Sequence, residues 1–186
     1  MKELCTDVGY VSINHIGEQL CGDHVELVEQ DGGDSLVLVL ADGLGSGVKA
    51  SILSTLTAKI ISTMMANDLP LEDCVQAIAK TLPICKVRGV AYSTFTILRV
   101  TASLEAEIIQ YDNPRVILLR DGKGTPYPIT ERIIDGKAVP QSRVRLREGD
   151  TFVAVSDGVI HAGVGPKLNF GWQLPNATAF LEDNYD

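Results

Sequence analysis

The chain reads as an α+β protein in which two mainly antiparallel sheets pack face to face with helices outside. Three observations carry that reading. Strand-like segments come as adjacent hairpins, which is antiparallel connectivity. Two helical patterns follow one another between two blocks of strands. A continuous apolar run, Leu36 to Ala41, ends in Asp42-Gly43, and a second, Thr151 to Gly158 (TFVAVSDG), ends in Asp157-Gly158. Runs of this kind read as strands covered on both faces. With 186 residues, 45% of them hydrophobic, the chain is long enough for one well-buried core and too short for two, so residues 1–186 are expected to form a single domain.

In chain order, Val8 to Asn14 alternates weakly and His24 to Glu29 alternates apolar with charged residues. Both predict strands with one wet face, the second leading through Asp31-Gly32-Gly33 into the central run. From Ser46, apolar residues at Val48, Ile52, Leu53, Leu56, Ile60, Ile61 and Met64 follow the period of an amphipathic helix, with Ser46 as its N-cap. Pro70 in a first turn, with Leu71, Val75, Ile78 and Leu82 on one face, predicts a second helix closed by Pro83. Ala91 to Val100 is rich in β-branched and aromatic residues and returns, after a Thr101-Ala102-Ser103 corner, through Leu104 to Tyr111. Arg115 to Arg120, an Asp121-Gly122 turn and Thr125 to Thr130 predict another hairpin, whose prolines Pro126 and Pro128 confine the return strand to an edge. Arg143, Arg145 and Arg147 then alternate with Val144 and Leu146 before a Glu148-Gly149-Asp150 turn. A solvated strand face is the simpler reading of those arginines, and contact with a phosphorylated partner the other. The Gly/Pro-rich end from Gly163 predicts a short helix near Pro175.

A net charge of −8 and a pI near 4.8 argue against nucleic acid or an anionic membrane as the main partner, because both repel an acidic surface. A cationic ligand or a metal is the easier companion. The four cysteines, Cys5, Cys21, Cys74 and Cys85, form no CxxC pair and no zinc-ribbon spacing, and no signal peptide or bilayer-length apolar stretch is evident. A reducing cytoplasm is the expected compartment.

Asp-Gly is a common turn dipeptide, so one such strand end means little. Two strands leaving one core at the same pole would bring Asp42 and Asp157 together in a partly desolvated place. Like charges that close must share a proton or be bridged by a cation, and oxygen-only ligands favour Mg²⁺ or Mn²⁺ over zinc. Cys21-Gly22-Asp23-His24 offers a third carboxylate. His15, His24 and His161 lack ligating spacings and are expected to be ordinary surface or core residues. Gly45-x-Gly47-x-x-Ala50 satisfies the dinucleotide fingerprint, but a second helix stands where a nucleotide-binding α/β domain needs a parallel strand.

Taken jointly, Gly22-Asp23, the segment Leu36 to Gly47 leading into a helix, YDNPRVILLRDG at Tyr111 to Gly122 and REGDTFVAVSDG at Arg147 to Gly158 resemble the metal-dependent protein phosphatases, type 2C in the broad sense. The resemblance is to the bacterial branch typified by the stage II sporulation phosphatase. It implies a four-layer αββα sandwich with a binuclear centre of two Mn²⁺ or Mg²⁺ ions. Asp42 is implied to bridge both metals, Asp23 and the Gly43 carbonyl to complete the second, and Asp157 to hold the first. The implied reaction is hydrolysis of phosphoserine or phosphothreonine on a small regulatory protein of the anti-anti-sigma type by a metal-bridging water, with no protein nucleophile. Ser46, Gly47 and Asn113 are candidates for substrate-phosphate contacts, against capping for Ser46 and a plain turn for Asn113. Leu44 replaces the histidine of the eukaryotic enzymes, and no arginine near Asp23 matches their phosphate-binding one. Asp183-Asn184 mimics the family's final metal motif but is expected to lie within a helix, so the domain is expected to lack its C-terminal strand and fourth carboxylate. A phosphatase-like partner-switching module is therefore the second reading.

Overall fold

The computed structural model describes residues 5–30, 35–67, 69–81, 84–85, 90–91, 93–134, 137–165 and 167–185. The elements run β1 (Asp23–Gln30), β2 (Ser35–Gly43), α1 (Gly47–Ala66), α2 (Leu71–Thr81), β3 (Ile84–Cys85), β4 (Val90–Ala91), β5 (Ser93–Thr101), β6 (Glu105–Tyr111), β7 (Ile117–Arg120), β8 (Lys123–Gly124), β9 (Thr130–Ile134), β10 (Lys137–Arg145), β11 (Thr151–Val153), α3 (Asp157–Ile160) and α4 (Leu174–Asp183). A six-stranded antiparallel sheet has the order β1-β2-β5-β6-β10-β9, and a three-stranded sheet the order β11-β7-β8. No helix among the described residues is long and apolar enough to cross a membrane.

The period-two alternation of strands divides the large sheet's side chains between two cores. Val37, Val39 and Ala41 of β2, with Phe95, Ile97, Ile109, Tyr111 and Val139, face Ala58, Ile61 and Met65 of α1 and Cys74, Val75 and Ile78 of α2. Phe95 and Tyr111 are cross-strand partners whose rings stack with centroids 5.2 Å apart. On the other face Ala106, Ile108 and Val144 pack with Val116, Leu118 and Phe152 from the three-stranded sheet and its approach. The helix α4 lies against β8, where Glu182 Oε1 accepts the Gly124 N–H at 2.6 Å. Helices, sheet, sheet and helix thus form the four-layer sandwich.

Several local expectations are corrected. Val8 to Asn14 is not a strand. Tyr10, Val11 and Ile13 are exposed, and weak alternation without a partner ladder does not hold an extended chain. The Asp31-Gly32-Gly33 turn and the Leu82-Pro83 stop lie outside the described residues. The predicted stripe on α1 is also rotated: Val48, Ile52 and Leu56 are 62%, 61% and 53% exposed, whereas Ala50, Ser54, Thr57, Ala58 and Ser62 are buried with Ile61 and Met65. Small residues win that face because β2 comes so close. A Cβ placed on Gly43 would lie 2.0 Å from the Ala50 carbonyl oxygen. The buried hydroxyls cost little, since Ser54, Thr57 and Ser62 donate to the carbonyls of Ser51, Leu53 and Lys59 within their own helix.

The Asp121-Gly122 turn has both residues at positive φ, 52° and 70°, as a two-residue hairpin requires. Its return strand is only Lys123–Gly124, not Thr125 to Thr130, because Pro126 and Pro128 interrupt the donors a ladder needs. Behind that hairpin Arg120 grips Asp150 with Nε and Nη2, each at 2.7 Å, and the Arg147 N–H adds a third bond at 2.8 Å. Burial pushes the Asp150 carboxyl up, but the bonds from Arg120 and from the Arg147 N–H outweigh it and hold the group below its ordinary value. Asp183 and Asn184 close α4, as expected.

Two outcomes follow. Gly43→Ala lowers stability by about 1–3 kcal/mol through overpacking against α1, read as a lower urea midpoint. Asp150→Asn lowers that midpoint at pH 7. A depressed carboxyl stabilises above its unfolded value, near 3.9, and this contribution is lost as pH falls further, so the gap between variant and parent closes in acid.

Candidate metal centre

The pairing of β1 with β2 sets Asp23 directly across from Asp42, and the pairing of β2 with β5 sets Thr94 on Asp42's other side. Both acids stand at the same end of the sheet, half-buried. The Gly43 N–H donates to the Gly22 carbonyl at 3.1 Å, continuing the register past the carboxylates. Asp157 arrives from the second sheet. It does not terminate a strand as expected; β11 stops at Val153 and Asp157 opens the single turn of α3. Its neighbour Ser156 donates to Asp23 Oδ2 at 2.7 Å and ties that exit to β1.

The three acids that sequence reasoning singled out are thereby brought together. Burial, then the charges of Asp23 and Asp157 and hydrogen bonds with both carboxyls, push the Asp42 carboxyl up to about 8. Such a group keeps its proton near neutrality unless a cation replaces it. Hard divalent ions suit this all-oxygen set, so the donor chemistry fits Mg²⁺ or Mn²⁺. Among the described residues no three acidic, histidine or cysteine side chains stand as a completed cage, so the fit is one of chemistry.

The neighbouring candidates divide. Ser46 occupies the N-cap position of α1, but its hydroxyl makes no capping bond and instead donates to Glu18 Oε1 at 3.0 Å. Gly47, at φ 69°, leaves room for the same carboxylate, for a Cβ there would lie 2.6 Å from Glu18 Oε2. Glu18 thus rests on the positive end of α1, where an acid is favoured. Asn113 accepts from Thr94 Oγ1 at 3.3 Å and donates to Thr96 Oγ1 at 3.0 Å, so it braces the strand beside Asp42. His24 is held by Glu26 at 2.7 Å and faces Thr55 at 3.4 Å. Sequence reasoning missed Glu18, Thr94 and Ser156. Cross-strand register with Asp42 would have found Thr94, while Glu18 and Ser156 act across contacts that no local pattern announces.

The family model described as Stage II sporulation protein E (SpoIIE) matches residues 32–184. Among curated protein sequences none matches significantly. Solved structures similar to the chain include the PP2C phosphatase domain with a regulatory fragment of the cell fate determinant SpoIIE from Bacillus subtilis, at 19% identity and a TM-score of 0.68, covering 84% of this chain and 47% of that one. The RsbU and RsbW domains of Rv1364c from Mycobacterium tuberculosis align at 21% identity and a TM-score of 0.67, covering 87% and 44%. RsbX in complex with magnesium aligns at 20% identity and a TM-score of 0.61, covering 94% and 85%. The chain spans less than half the length of the first two. At these identities the likeness establishes the fold, a PP2C-type sandwich.

Asp42→Asn removes one of three mutually repelling carboxyls, so the metal-free variant melts higher, by about 2–4 °C for each kcal/mol relieved, while the stabilisation by added Mn²⁺ disappears. Differential scanning fluorimetry with and without MnCl₂ reads both, and an undiminished Mn²⁺ shift would count against Asp42 as a ligand.

Proposed function

The chain belongs to the stage II sporulation protein E family, and on that premise we propose that residues 1–186 form a metal-dependent serine/threonine protein phosphatase domain. The convergence of Asp23, Asp42 and Asp157 carries the proposal, because three carboxyls held that close are matched to divalent cations and to little else. Asp42 would bridge two Mn²⁺ or Mg²⁺ ions, with Asp23 and the Gly43 carbonyl on one and Asp157 on the other. Ions so bound supply an acidified water and neutralise charge on the phosphoryl oxygens, so no protein nucleophile is needed.

The chain's own residues orient and insulate that chemistry. Ser156 fixes Asp23 through its 2.7 Å bond, and the β1–β2 register fixes the Asp23–Asp42 separation. Close packing of Gly43 on Ala50 holds the Gly43 peptide against the start of α1. Ser46 and Gly47 there are the proposed contacts for the substrate phosphate, an anion in the position that the Glu18 carboxylate takes up in this structure. Asn113 supports the site by fastening Thr94 and Thr96. The proposed substrate is a phosphoserine or phosphothreonine on a small regulatory protein of the anti-anti-sigma type. A phosphatase-like partner-switching module without turnover is the second reading, favoured by the lack of a completed ligand cage among the described residues.

Purified protein should release phosphate from a phosphoserine peptide with Mn²⁺ and stop when EDTA is added or Asp42 is changed to Asn. Mn²⁺ binding by calorimetry without any phosphate release would favour the non-enzymatic module.

A further inference from the structure

The β9–β10 hairpin parts before β10 ends. β9 pairs with Lys137–Gln141 and begins at Thr130 opposite Gln141, while β10 continues to Arg145 against β6 alone. Past Gln141, the ladder position on the β9 side falls to residues 125–129, where Pro126 and Pro128 have no N–H to offer. That segment is drawn toward the other sheet instead. The Thr125 N–H donates to the Leu118 carbonyl at 2.7 Å and the Tyr127 hydroxyl to the Val116 carbonyl at 2.6 Å. The splay leaves a groove of about 490 Å³ between Tyr127 with its flanking prolines and the run Arg143 to Arg147, over a floor that includes Leu118 and Val144.

Four arginines line it, and their guanidinium groups are not equally occupied. Arg120 is committed to Asp150 and donates to the Arg145 carbonyl at 3.2 Å, and Arg143 is held by Glu107 at 2.8 Å. Arg145 stands across from Glu105 in register, yet its guanidinium makes no ion pair with any described residue. Arg147 reaches Asp150 through its backbone N–H, and its exposed guanidinium adds a weaker attraction to the same carboxylate. Four arginines at one groove, with Arg145 making no ion pair among the described residues and Arg147 only sharing Asp150 with Arg120, are an anomaly on a chain of net charge −8. General charge does not explain them, and the fold leaves the Arg145 guanidinium without an ion pair among the described residues.

We propose that this groove docks an acidic, extended segment of a protein partner. Arginine pairs with carboxylate or phosphate in a two-pronged geometry, Tyr127 and the prolines offer a flat apolar wall, and an extended peptide can lie along the strand edge that β9 leaves past Gln141. Opposite charge confined to one groove also orients a partner that the rest of the surface repels. Identifying that partner as the phosphoprotein substrate rests on the function proposed above; the docking itself does not. The groove shares no lining residue with the carboxylate cluster.

Fluorescence anisotropy of a fluorescein-labelled octaglutamate peptide tests it on the intact chain. Saturable binding that weakens with salt is expected, falling about tenfold or more in Arg145→Ala/Arg147→Ala. Both side chains are exposed, so the melting temperature should hold; should the double variant fail to fold, Arg145→Gln alone must still weaken binding. Lys80→Ala/Lys167→Ala, which removes the same charge elsewhere, should leave affinity unchanged. Asp42→Asn should also bind normally, since the carboxylate cluster lies outside the groove; an unaltered chain that binds the peptide yet releases no phosphate from a phosphoserine peptide with Mn²⁺ would sink the enzyme reading and not this one. Equal binding by the arginine variants, no saturable binding at low salt, or tighter binding of an octathymidylate than of the peptide would overturn the proposal.

Discussion

Like charges held together by backbone register are the constraint on which the rest of this molecule depends. Asp23 and Asp42 meet because β1 and β2 pair residue for residue from Gln30–Ser35 to Asp23–Asp42, and a slip of one residue would carry every side chain of β2 to the opposite face. The same alternation that points Val37, Val39 and Ala41 at the helices therefore sets the carboxylates at the sheet's end. Core packing locks the register, and the register imposes the repulsion. Burial first, and then that repulsion, raise the Asp42 carboxyl, and the native state tolerates both because the hydrophobic cores on both faces of the sheet outweigh them.

The first helix serves the same arrangement. A face of alanines and serines is a weak source of burial, and an apolar stripe two steps round the helix would bury more area. What the small face provides is proximity: α1 can start immediately beyond Gly43 and press on its backbone, so the helix N-terminus stands beside the acids. Glu18 shows that this end of the helix takes up negative charge, here from the chain's own N-terminal segment.

Much of this was legible in the residues. The first Asp-Gly signal, the long hairpin of β5 and β6 and the succession of two helices are strong local patterns, and each found its place, whereas the second Asp-Gly opens α3 instead of ending a strand. The boundaries that failed did so for tertiary reasons. Val8 to Asn14 alternates but meets no ladder, and Thr125 to Thr130 has a strand's composition but is released by its prolines. The stripe Val48, Ile52, Leu56 obeys helical period as well as the buried one does, so periodicity alone could not tell which face the sheet would accept. Contacts such as Ser156 with Asp23, 133 residues apart, exist only once the two sheets are stacked.

The open end of β10 bears on solubility. A strand edge with free main-chain groups is a template for another chain, and a protein that leaves one bare invites aggregation. Here Arg143, Arg145 and Arg147 stand along it, with prolines opposite. A second copy arriving edge to edge would bring its own arginines against these and find no matching donors at Pro126 and Pro128. The break in the hairpin therefore exposes backbone where like charge and missing donors disfavour edge-to-edge pairing with a second copy.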